Sequence, residues 1–140
     1  MTLNKLEVAT RQLDAAIRLF LEDDYLSSLT LAGAAEEILG RLSEQAGLPV
    51  AVDQIVEFHW DDTDASMLKS ERRRILLGVL NGPRNSAKHA NDPEETEFDV
   101  DPDFPLQMIM RAMPMARSLG SPPSREADMV RFVRTRFRKE

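Results

Sequence analysis

The chain has 140 residues, no cysteine, two histidines and a formal net charge of −6. That length suits one domain, 1–140, able to bury roughly two thirds of its unfolded surface, and the lack of cysteine excludes disulfide staples, thiolate metal sites and cysteine nucleophiles. The acidic balance excludes a general nucleic-acid coat protein, since non-specific phosphate binding needs an excess of Lys and Arg. The start, MTLNKLEVATRQLDAAIR, lacks the pattern of a secretory leader, and the apolar runs fall short of the roughly 20 residues a membrane span needs, so a cytoplasmic protein without a membrane partner is expected.

From Leu6, apolar residues recur at three and four as far as Leu21, which predicts an amphipathic helix. After Glu22-Asp23-Asp24 a second helix starts at Tyr25 and runs to Gly47, where Leu48-Pro49 ends it. So short a connection implies an antiparallel pair. The small residues Ala32, Gly33, Ala34 and Ala35 suggest that another helix approaches closely there, because glycine in mid-helix costs about 1 kcal/mol relative to alanine and needs a packing reason. Residues 49–63 read as a short helix capped by Asp53, or as an extended segment, with helix preferred.

A third main helix is expected from Asp64 until Asn81-Gly82-Pro83 breaks it. Arg72, Arg73 and Arg74 lie on it and cannot all share one face, so at least one should point to solvent. His59 is expected to pack half-buried beside Trp60, within reach of Asp61 or Asp62. An acidic connector, 91–103, holds seven carboxylates from Asp92 to Asp103 and no base. It lacks the glycine and closing glutamate of a calcium loop, and neither a metal nor a cofactor is implied. Phe104-Pro105 opens the next helix, kinked at Pro114, with Met108, Met110, Met113 and Met115 read as core filler. Residues 121–124, Ser-Pro-Pro-Ser, read as a hinge before a last helix from Arg125 to Arg138, in a segment where Arg125, Arg131, Arg134, Arg136, Arg138 and Lys139 cluster. The whole predicts an all-α, up-and-down bundle of four to five helices.

The chemistry concentrates at Gly82 to Ala90. Arg84, Asn85, Lys88 and His89 fall within six residues; an imidazole can exchange a proton near neutral pH while guanidinium and ammonium groups hold a phosphate. On a helix Asn85 and His89 share a face, whereas Arg84 and His89 diverge by about 140°, so one copy forms an incomplete site. A structural alternative has Arg84 or Lys88 docking the acidic connector at Asp92 and fixing the turn.

The early helix, the turn Asp23-Asp24-Tyr25 into an alanine-rich helix with the acidic pair Glu36-Glu37, and the later Arg-Asn-x-x-x-His element together resemble the HEPN superfamily of small helical bundles, over residues 5–90. The resemblance implies a dimer whose facing copies share a composite site, in which Arg84 contacts the scissile phosphate, Asn85 orients a neighbour, His89 transfers protons and Lys88 assists phosphate binding. Two functions follow. One is a non-catalytic interaction module that dimerises or binds a protein partner such as an antitoxin. The other is a metal-independent endoribonuclease of toxin–antitoxin or defence type acting on RNA. Pro83 before the element, Asn91-Asp92-Pro93 after it, and a carboxylate field felt within a Debye length of about 8–10 Å weigh toward the module.

Overall fold

The computed structural model describes residues 1–90 and 92–138; Asn91 and Lys139 lie outside them. Helix α1 spans Lys5–Leu21, and its first turn is closed by a reciprocal cap: the Glu7 N–H donates to Asn4 Oδ1 at 2.8 Å, while the Asn4 N–H donates to Glu7 Oε1 at 3.3 Å. Asp23 turns the chain at φ 66°, in the left-handed region that aspartate tolerates. Asp24 then caps α2, Tyr25–Gln45, by accepting from the Ser27 N–H. The two helices form the antiparallel pair that the short connection predicts, and the Ser28 hydroxyl, fully buried, donates to the Ala16 carbonyl at 2.7 Å across their interface.

Helix α5, Asp103–Ser118, lies against both, and the core forms where Leu13, Ile17, Leu29, Leu39 and Ile109 are sealed from solvent. Truncating any of these to alanine removes buried apolar area and leaves a cavity, at a typical cost of about 2–5 kcal/mol. Met108, Met113 and Met115 fill this core as expected, whereas Met110 faces outward. Helices α2 and α5 end in the same device. Gly47 (φ 70°) and Gly120 (φ 84°) take the left-handed position past the last turn, which lets the Leu48 and Ser121 N–H groups reach back to the Ser43 and Ala116 carbonyls.

The hinge expected at 121–124 is a pinned connection. The Ser121 hydroxyl lies 2.9 Å from Thr10 Oγ1, Pro123 is buried, and the Arg125 N–H donates to Asp14 Oδ1. Helix α6, Glu126–Arg136, therefore docks on its own chain, burying Met129 and setting Phe132 edge-on to Phe20 with ring centroids 5.0 Å apart.

Helices α3, Ala51–Phe58, and α4, Lys69–Lys88, form an outer layer over α2 and α5, and α4 buries no residue completely. All told there are six α-helices and a short 3₁₀ turn at Trp60–Asp62, with no strand among the described residues. The bundle is all-α as expected; α3 takes the count past five. Asp53 does not cap α3 but lies in its first turn and pairs with Arg73. Two boundaries of α4 also differ from expectation. It starts at Lys69 because the Asp64 carboxylate accepts from both the backbone and the hydroxyl of Ser66, closing a local turn instead of a helix. Those two bonds, the hydroxyl first, hold the Asp64 carboxyl below its ordinary pKa. And Gly82-Pro83 does not break it. Pro83 removes a single N–H, the one owed to the Val79 carbonyl, and Val79 is on the exposed side, while Arg84 and Ala87 beyond it are anchored inward. No helix among the described residues is long and apolar enough to cross a membrane.

Candidate functional site

The segment Arg84 to Lys88 is the last turn and a half of α4, and His89 is its extended cap residue, with its N–H bonded to the Asn85 carbonyl at 3.0 Å. Helical spacing sends Arg84 toward α2. There Gly33 leaves room for it: a Cβ at position 33 would lie 2.4 Å from Arg84 Cγ and 2.6 Å from Cδ. At Gly33 the small-residue patch of α2 thus accommodates a side chain: what lies over the glycine is the Arg84 stem and not, as expected, the close-packed backbone of another helix.

Lying across Gly33, Arg84 donates from Nη1 to Glu36 Oε2 at 3.3 Å, and its side chain is only 12% exposed. Its Nε is buried with no hydrogen-bond partner among the described residues. The other Glu36 oxygen accepts from Arg111 Nη2 on α5 at 2.9 Å, and Arg111 also donates to the Leu80 carbonyl and to Asn81 Oδ1. Glu36 therefore sits between two guanidinium groups and ties α2, α4 and α5 together. A buried arrangement of this kind offsets a large desolvation cost only while every member stays paired.

The other members of the element diverge from Arg84. Asn85 is exposed and accepts weakly from Arg84 Nη2 at 3.5 Å. Lys88 Nζ lies 3.9 Å from Glu37 Oε2. His89 is exposed, and its ring makes no hydrogen bond or ion pair among the described residues. The expected docking of Arg84 or Lys88 on the connector at Asp92 is replaced by docking on the acidic pair of α2, which lies beneath the last turns of α4. What reaches the connector is Ser86, whose hydroxyl donates to Glu95 Oε2 at 3.3 Å.

Beside the triad, a cleft of about 430 Å³ opens between α2, α3 and α4. Its walls carry Glu36, Glu37, Glu44 and Asp53 against Arg41, Arg73, Arg84 and Arg111. Opposite charges cancel in number, so the cleft offers no net field to draw a polyanion. Among the described residues no group of three or more His, Asp or Glu side chains is arranged to hold a metal.

At the far end of α4 the three arginines separate as their spacing requires. Arg72 lies over the Trp60 ring at 4.3 Å and donates to Thr63 Oγ1 and to the Trp60 carbonyl, Arg73 pairs with Asp53, and Arg74 is exposed. His59 Nδ1 lies 3.0 Å from Asp62 Oδ2.

Arg111 escaped the sequence reading, although a signal for it exists. Glu36 falls on the apolar face of α2 with Leu29, Ala32 and Leu39, and Arg111 falls between Ile109 and Met113 on the apolar face of α5. A carboxylate and a guanidinium on two core-facing stripes are each too costly to bury alone, which points to a pair. No family model, curated protein or solved structure matches this chain.

Proposed function

We propose that this is a HEPN-like, non-catalytic helical interaction domain, in which the Arg-Asn-x-x-x-His element braces the bundle and does not cleave RNA. One observation carries the reading. The arginine that would hold a phosphate is largely covered and paired with the buried Glu36, in a slot made by Gly33. Moving it outward to an RNA would leave Glu36 with a single partner in the interior, and unpairing a buried charge typically costs several kcal/mol. The balanced charge of the adjoining cleft and the carboxylates that follow His89 support the same conclusion.

The ribonuclease reading keeps one observation in its favour, the exposed imidazole of His89. Incubating the purified protein with mixed RNA in EDTA, beside His89→Ala, separates the two. No cleavage by either protein is expected; cleavage by the wild type that His89→Ala abolishes would overturn the module.

A further inference from the structure

The charge of this chain is unevenly spread. The whole is acidic at −6, yet Arg125 to Lys139 holds six bases against two acids. A groove of about 730 Å³ opens along α6 beside the end of α5, lined by Arg131, Arg134 and Arg138 on one side and Arg117 on the other, against the single carboxylate of Glu126. These arginines do little for the fold. Arg131 is 78% exposed and reaches only a half-exposed Asp128 at 3.8 Å, and Arg134 and Arg138 are exposed with no ion pair among the described residues. Arg117 alone is engaged, with Glu126. Arg84 and Arg111, by contrast, are both held on Glu36.

Four guanidinium groups select an anion, and the groove selects what carries it. Arg131 and Arg117, 78% and 63% exposed, form a rim that cannot enclose a small ligand, which needs most of its surface buried. Affinity must therefore come from several contacts along a length. A single-stranded nucleic acid would want aromatic platforms for its bases, and no aromatic side chain lines the groove among the described residues. An unbroken run of phosphates would also meet Glu126, whereas a peptide can place a neutral residue there, with Ala127 and Val130 beside it for apolar contact. The planar forks of arginine match carboxylates. Arg131 and Arg134 are about 4.5 Å apart along the α6 axis, a spacing that acidic residues three or four apart on a second helix can follow. The chain's own acidic connector is engaged elsewhere, by Ser86 and Arg136.

We propose that this groove binds an acidic helical segment of another protein, its carboxylates set against Arg131, Arg134 and Arg138 and a neutral residue over Glu126. The proposal rests on the interaction-module reading and gives that module its binding face and the chemistry of its partner. The acidic remainder of the chain adds direction, since it repels such a partner from the rest of the surface.

The probe is a fluorescein-labelled helical peptide with Glu at i, i+4 and i+7 and Ala or Leu between, titrated with the full chain and followed by anisotropy. It should bind, and less tightly as salt is raised. Arg131→Glu with Arg134→Glu should weaken binding by about ten-fold or more, with helicity by circular dichroism unchanged because neither side chain holds the fold. Arg11→Glu with Arg74→Glu changes the net charge equally at two other exposed positions and should have a far smaller effect. Glu126→Gln, which releases Arg117, should tighten binding. A peptide that does not bind, equal losses from the two arginine pairs, or a Glu126→Gln chain that binds no more tightly would each overturn the proposal. So would a short single-stranded RNA, or phosphatidylserine vesicles, held through Arg131 and Arg134 more tightly than the peptide. Self-association of the chain that Arg131→Glu with Arg134→Glu abolishes would make a second copy's connector the occupant and would overturn it too. RNA cleavage, read in its own assay, would overturn the module reading independently of these outcomes.

Discussion

Gly33 and Arg84 are fitted to each other across two helices: the Cβ that any other residue would place at 33 lies 2.4 Å from the Arg84 Cγ. The glycine is tolerated in mid-helix because it lets the guanidinium reach Glu36. A double-mutant cycle tests that coupling. Gly33→Ala should leave wild type unchanged or destabilise it by up to about 2 kcal/mol, since overpacking by about 1–3 kcal/mol cancels or outweighs the gain of about 1 kcal/mol in helix propensity. In an Arg84→Ala background the clash is gone and the same change should stabilise by about 0.5–1 kcal/mol. Additive effects in denaturant unfolding would show that the two residues do not interact.

Glu36 and its two arginines give a second, ordered expectation. Glu36→Ala strands the buried Arg111 guanidinium and the partly buried one of Arg84 and should cost about 3–5 kcal/mol, whereas Arg84→Ala leaves Glu36 still paired with Arg111 and should cost less. Equal losses, or a larger one at Arg84, would contradict the central position of the carboxylate.

The helical frame was legible because its signals are local. Period, the acidic turn Glu22-Asp23-Asp24, the Gly47 stop and the Phe104-Pro105 entry each act within a turn, and they place α1, α2 and α5 with small errors at the ends. The fate of the Arg84 element was not legible. Gly82-Pro83 reads as a break by local chemistry, yet the helix continues because Arg84 and Ala87 are held from outside it, one by Glu36 about fifty residues earlier and the other by the core. The same non-local pairing hid Arg111, whose partner lies 75 residues away. The hinge expected at 121–124 is absent for a related reason, since Thr10 and Asp14 of α1 hold that segment.

Pro83 is accordingly a tolerated cost. Replacing it with alanine restores an N–H to the Val79 carbonyl within an intact helix, and Pro83→Ala should raise stability by about 1–2 kcal/mol once the lost rigidity of the unfolded chain is offset. A lower melting temperature would mean that the proline shapes the last turn, and with it the path of Arg84, in a way the helix needs.

Tyr25 gives a titration that can be read directly, because it is the single tyrosine in the chain. Its hydroxyl donates to Asp23 Oδ1 at 2.9 Å, and ionisation would break that bond and place a phenolate beside a carboxylate. The hydrogen bond first, then partial burial and the Asp23 charge, raise its pKa above the ordinary value, against a smaller opposing pull from Arg136. For a group whose folded pKa is raised, the stabilising contribution is fully present below the unfolded pKa and is lost as pH climbs through the folded one. The contact between Asp23 and Tyr25 at the α1–α2 turn should therefore hold through neutral pH and fail only in the alkaline range. Phenolate absorbance should titrate highest in wild type, lower in Asp23→Asn, which keeps an acceptor but no charge, and near the ordinary value in Asp23→Gly, which removes both and accepts the φ of 66° at that position. A midpoint that does not move along this series would show that Asp23 and Tyr25 are not in contact.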